Sequence, residues 1–149
     1  MEIKDKFSEI LKNQRLVILP KDLIVYLFED YSEKIGLPPG PRDWMAREAG
    51  KGYAQAFMDS LGGEIDLGEI PELLEKIYDF TGMGKVKVSI NGNEILLEFI
   101  DSPLFKSSLE PKDILRPFLG VVEGFLSGIL GKEFKGEVKD KSYILKVKG

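Results

Sequence analysis

Apolar side chains recur with the period of an α-helix in several stretches of this chain. In residues 2–12 they recur at the three- and four-residue spacing that places them on one helix face. Prolines near the starts and glycines after the ends are typical of helix boundaries. The pattern predicts about five helices, over residues 2–12, 20–36, 42–61, 69–80 and 111–130.

The period changes to two in residues 85–100, which indicates a β-hairpin. Between its strands lies Asn91-Gly92, a strong turn signal, because the central residues of a type I′ turn must both adopt positive φ. Residues 132–148 predict a second hairpin, and residues 16–19 a short strand or extended arm. Two hairpins favour one antiparallel sheet with the helices packed on a face, an α+β domain.

The last predicted helix contains three glycines, Gly120, Gly124 and Gly128, at a spacing of four residues. Each interior glycine costs a helix about 1 kcal/mol relative to alanine, so this stripe requires a compensating interaction. Three interpretations remain open: close packing against another backbone element of the same chain, a subunit interface, or space for a ligand.

Composition restricts the possible chemistry. The chain has 149 residues, a formal net charge of −4 and neither cysteine nor histidine. Disulfides, thiolate zinc sites and serine–histidine catalysis are therefore excluded. Glu94 and Glu98 share a strand face, but their Cα atoms would lie about 13 Å apart, so we expect them to face solvent opposite lysines. We predict no catalytic residue, metal site or cofactor.

Charge and hydropathy also bear on location and partners. The basic residues of 132–149 alternate with apolar ones, which indicates a solvated hairpin rather than a surface for phosphate or an acidic partner. We predict no nucleic-acid partner. The charged first ten residues and the lack of a long apolar run predict a cytoplasmic protein without a membrane span. Abundant lysine and glutamate without cysteine is typical of a thermophile.

Several segments resemble the 4-vinyl reductase domain family. The sequence GVVEGFLSGIL, followed by GKEFKGEV and the closing strand SYILKV, is similar to the C-terminal half of that domain. AGKGYAQAF resembles its opening helix, and FTGMGKVKVSINGNEILLEFIDSP its central hairpin. The resemblance covers residues 42–149 as a core and leaves 1–41 as an N-terminal extension of helix, short strand and helix within one domain.

The resemblance implies a fold shared with subunits of the vesicle-tethering complex TRAPP and with haem nitric-oxide sensors. It also implies an apolar cavity for a lipid or hydrocarbon, a sensory role and a homodimer. Family members often carry cysteines near the last helix, as candidates for binding zinc. This chain has none, so no zinc or thiol function carries over.

The predicted function is therefore binding of an apolar small molecule, without catalysis. A ligand-free dimeric scaffold and, less favoured, an accessory to tetrapyrrole metabolism are the alternatives. Arg47 is a candidate anchor for a carboxylate head group, or else a surface arginine. The other candidate pocket residues are aromatic, and for each of them plain core packing is the default alternative: Trp44, Tyr53, Phe57, Phe99, Phe118 and Phe125.

Overall fold

The computed structural model describes residues 3–14, 23, 39–106 and 110–148. The predicted strand at 16–19 and, apart from position 23, the predicted helix at 20–36 lie outside these residues. The described helices are α1 (Ile3–Asn13), α2 (Pro39–Leu61), α3 (Ile70–Phe80) and α4 (Pro111–Leu130). Short 3₁₀ turns occupy Leu67–Glu69 and Pro103–Phe105.

The helix ends follow the local chemistry of the sequence. Helix α4 has the predicted bounds and ends at Gly131, whose φ of 67° places it in the left-handed region. Helix α2 begins at Pro39, three residues before the predicted start, so part of the predicted Pro-Gly loop is helical. Proline suits this first turn because the N–H groups of a first turn have no acceptor within the helix. The proline ring also fixes its own φ near the helical value.

Four antiparallel strands form the sheet. They are β1 (Lys85–Asn91), β2 (Glu94–Asp101), β3 (Phe134–Lys139) and β4 (Ser142–Val147), in the spatial order β1-β2-β4-β3. The two hairpins therefore join through their second strands. This arrangement confirms the predicted α+β fold with one antiparallel sheet.

The turn of the first hairpin differs by one residue from the prediction. Asn91 still pairs with Glu94, so the central residues are Gly92-Asn93 rather than Asn91-Gly92. Gly92 has a φ of 64°, whereas neither asparagine has positive φ. A glycine at the first central position needs no second residue with positive φ, as in a type II′ turn.

The two faces of the sheet differ in polarity. The inner face carries buried apolar residues, among them Leu97, Tyr143 and Leu145, against which α3 and α4 pack. On the outer face Glu98 lies opposite Lys87 and Glu94 opposite Lys146, as predicted for these carboxylates. Helix α2 packs on α4, and α1 contacts both α2 and α3.

Candidate functional site

Helices α2 and α4 meet along the glycine stripe. A Cβ atom added to Gly124 would lie 2.7 Å from the carbonyl carbon of Arg47 and closer still to its oxygen. Added Cβ atoms at Gly120 and Gly128 would lie 2.7 and 2.6 Å from the Cβ atoms of Ala46 and Ala54. The stripe thus packs against another helix of the same chain, the first of the three interpretations.

Helix α2 contributes its own glycine to this contact. A Cβ atom at Gly50 would lie 2.8 Å from the backbone nitrogen of Phe125 and closer to the carbonyl oxygen of Val121. Glycines from both helices therefore allow the backbones to approach where any side chain would clash. The approach also brings the ring of Tyr53 to 5.5 Å from that of Phe125, between centroids.

An apolar cavity of about 510 Å³ lies beside this contact. It is bounded by α2, α3, α4, the end of α1 and the segment between α3 and β1. Its volume falls within the range of small-molecule sites, roughly 300–1,000 Å³. The described lining residues are Gln14, Tyr53, Ala56, Leu74, Ile77, Tyr78, Thr81, Met83, Phe118, Val121, Val122 and Phe125.

Hydroxyl and amide groups are the polar side-chain groups among these described lining residues. The amide nitrogen and oxygen of Gln14 lie 2.8 and 3.1 Å from the hydroxyl oxygen of Tyr53, so these two side chains satisfy each other. The hydroxyl of Thr81 donates to the carbonyl of Ile77 at 2.8 Å. Burial raises the pKa of Tyr53, while the hydrogen bond with Gln14 partly opposes this rise.

Three of the seven predicted pocket residues line this cavity: Tyr53, Phe118 and Phe125. Phe57 lies in the core, with ring contacts to Phe7 and Phe125. Phe99 belongs to strand β2, and its ring packs among the rings of Tyr78, Phe105 and Tyr143. Trp44 and Arg47 line a separate polar cleft.

Sequence reasoning also missed lining residues. Leu74 and Ile77 lie three residues apart on α3, the spacing of one helix face, but only tertiary structure distinguishes a cavity wall from a core contact. Gln14 follows α1, and no signal in the sequence marked it as a partner of Tyr53, which lies 39 residues away. Tyr78, also on α3, lines the cavity but was not among the predicted pocket residues.

The polar cleft, of about 410 Å³, surrounds a buried carboxylate. Glu123 is 6% exposed, accepts a hydrogen bond from the backbone N–H of Gly136 at 2.8 Å and lies 3.9 Å from the guanidinium of Arg47. Burial raises the pKa of Glu123, although Gly136 and Arg47 oppose the rise, as does Lys135, whereas Asp43 adds to it. Arg47 is thus directed to a carboxylate of its own chain.

We expect Glu123→Gln to reveal this raised pKa. A native pKa above the unfolded value, near 4.5, means that the folded protein binds more protons, so wild-type stability falls as pH rises through that window. Glutamine does not titrate, so the variant does not lose stability in this way as pH rises. Its free energy of unfolding relative to wild type should therefore increase from about pH 4.5 upward, as measured by urea denaturation across pH.

Glu133→Gln is the matched control for that comparison, since this exposed carboxylate pairs with Lys148 at the surface. Its substitution should change the free energy of unfolding by less than about 0.5 kcal/mol. A Glu123→Gln difference that stays constant with pH, or falls as pH rises, would contradict the raised pKa.

Comparisons with known structures place the fold. Subunit 3 of the trafficking protein particle complex from Naegleria fowleri, covalently bound to palmitic acid, is similar with a TM-score of 0.61 and 14% identity, over 87% of this chain and 95% of that one. The phenol-responsive sensory domain of the transcription activator PoxR, with phenol, has a TM-score of 0.61 and 18% identity, over 97% and 90%.

A vinyl-4-reductase family protein from Methanocaldococcus jannaschii is also similar, with a TM-score of 0.48 and 19% identity over 99% of this chain and 93% of that one. No protein-family model matches the sequence, and no curated protein matches it as a relative. The similarity to the trafficking protein particle complex subunit, with its TM-score of 0.61, confirms the predicted TRAPP-like α+β fold. Within the described residues, no helix combines the length and apolar character needed to cross a membrane.

Proposed function

We propose that this protein binds an apolar small molecule, such as a lipid or a hydrocarbon, in the cavity between α2, α3 and α4, and that it does so without catalysis. The observation that carries the proposal is the cavity itself, lined mainly by aliphatic and aromatic side chains. Burial of apolar ligand surface would supply the affinity, at about 0.8 kcal/mol for each methylene group removed from water.

Two structures of the same fold support this proposal, because one holds palmitic acid and the other phenol. The PoxR domain is the phenol-responsive sensory domain of a transcription activator. We therefore favour a sensory function, in which ligand binding acts as a signal. A thioester-linked ligand is excluded here, because the chain has no cysteine.

Val121→Trp tests the proposal by filling the cavity. Val121 is half-buried on α4 and lines the cavity, so an indole there should occupy ligand space. We expect the affinity for a neutral fluorescent probe, N-phenyl-1-naphthylamine, to fall at least about ten-fold, equivalent to about 1.4 kcal/mol. Fluorescence titration of the delipidated protein measures this change.

Leu96→Trp is the control for that substitution. Leu96 is half-buried on the outer face of the sheet, and an indole there should leave probe affinity within about two-fold of wild type. The cavity is rejected as a binding site if wild type, Val121→Trp and Leu96→Trp bind the probe equally well. It is also rejected if the wild-type protein binds no probe and its native mass spectrum shows no ligand.

We propose homodimerisation as well, on a surface other than the glycine stripe, because α2 already covers that stripe. Trp44 and Met45 are 58% and 57% exposed near the start of α2, and neighbouring exposed apolar side chains are typical of contact surfaces. Light scattering at several protein concentrations would distinguish a dimer from a monomer.

A further inference from the structure

We infer that the ligand is a neutral molecule with a hydrogen-bond acceptor, such as a ketone, an alcohol or a phenol, and that the hydroxyl of Tyr78 is its anchor. The inference rests on the proposed function, since it specifies the ligand class for the same cavity. It excludes free carboxylates, including free fatty acids, as preferred ligands.

The first observation is the absence of charge among the described residues that line the cavity. None of the twelve described lining residues is charged. A carboxylate in the cavity would lose its hydration without gaining a counter-ion from these residues. The polar cleft, by contrast, is lined by several cationic side chains, among which Arg47 faces Glu123 and Lys148 pairs with Glu133.

The second observation is the buried hydroxyl of Tyr78. This tyrosine is 8% exposed, lines the cavity and packs its ring edge-to-face on Phe99, with centroids 5.4 Å apart. Within the described part of the chain, its hydroxyl has no hydrogen-bond partner. Buried hydroxyls without a partner are uncommon, because each keeps the cost of its lost hydration.

Among the described lining residues, the other two hydroxyl groups already have hydrogen-bond partners. Tyr53 is satisfied by Gln14, and Thr81 donates to the carbonyl of Ile77. Burial raises the pKa of Tyr78, so its phenol stays protonated and can donate at neutral pH. A carbonyl or hydroxyl oxygen of the ligand would accept a hydrogen bond from the Tyr78 hydroxyl. The other described lining groups suit a hydrocarbon.

The experiment compares ligands of similar chain length. Undecane, 2-undecanone and decanoate compete with N-phenyl-1-naphthylamine for the delipidated full chain at pH 8. We expect the ketone to bind about five-fold more tightly than the alkane, from one neutral hydrogen bond, and at least about ten-fold more tightly than decanoate. Decanoate should improve as pH falls toward about 5, where carboxylates begin to take up protons.

Tyr78→Phe should reduce ketone affinity to that of the alkane and leave alkane affinity unchanged. Because the lost hydroxyl has no partner in the described structure, the free energy of unfolding should stay the same or rise. Tyr143→Phe is the control: this buried tyrosine lies outside the cavity lining and donates to the carbonyl of Leu115. It should lose stability and keep the ketone preference.

Failure of this inference is distinguishable from failure of the proposed function. If ketone and decanoate bind equally at pH 8, or if Tyr78→Phe keeps the ketone preference, the neutral class or the anchor is wrong while the cavity remains a binding site. If neither the probe nor any of the three ligands binds, the proposed function fails, and the inference fails with it.

Discussion

Replacing Gly124 with alanine should lower the free energy of unfolding by about 3 kcal/mol, near the upper end of the usual cost of overpacking. The added methyl group would meet the backbone of Arg47, with its carbonyl carbon at 2.7 Å. A backbone cannot rotate away as a side chain can, so α2 and α4 must separate. For a domain of this size we expect the melting temperature to fall by roughly 10 °C, as measured by calorimetry or urea denaturation.

Gly52→Ala is the control, because Gly52 is also inside α2 but has open space around its Cβ position. There the substitution should raise stability by up to about 1 kcal/mol through helix propensity alone. The two substitutions are chemically identical and should have opposite signs. If Gly124→Ala is as stable as Gly52→Ala, the close approach of α2 and α4 is wrong.

The glycine stripe illustrates how much the sequence could predict. Helix α4 has the predicted bounds, and close packing was one of the three interpretations that the spacing of its glycines left open. The partner could not be predicted, because the small residues of α2 that meet the stripe, such as Ala46 and Gly50, carry no sequence signal that pairs them with α4. Local periodicity describes one helix at a time, whereas the contact joins two.

The predicted pocket residues lie in separate regions of the structure, for a geometric reason. Arg47 and Tyr53 are six residues apart in α2, which places them about 120° apart around the helix axis. Tyr53 therefore lines the apolar cavity, while Arg47 lies in the polar cleft together with Trp44. Aromatic residues could be identified as candidates, but their division among the cavity, the core and the surface depends on tertiary structure.

The glycine contact and the cavity are parts of one arrangement. The backbone of Val121 touches Gly50, while Val121 also lines the cavity. Phe125, one turn further along α4, contacts Tyr53 and Phe57 by its ring and Gly50 by its backbone. A change that separates the two helices should therefore alter the cavity as well as the stability.

Phe125→Ala should change both the stability of the protein and the size of the cavity. Phe125 is 4% exposed and forms part of the cavity wall. Truncation of a buried phenylalanine to alanine costs about 3–5 kcal/mol, and here it also enlarges the cavity. We expect a bulky neutral ligand with an added ring to bind the variant more tightly than wild type. Such binding should restore part of the lost stability, measured as a larger ligand-induced rise in melting temperature.

Phe134→Ala separates cavity enlargement from general destabilisation. Phe134 is equally buried, at 5% exposure, but lies at the start of β3 and lines the polar cleft instead. Its truncation should cost a similar amount, about 3–5 kcal/mol, yet leave ligand affinity and ligand-induced stabilisation as in wild type. If a bulky ligand rescues both variants equally, it acts outside the cavity. If it rescues only Phe125→Ala, the ligand occupies the space that the ring vacated.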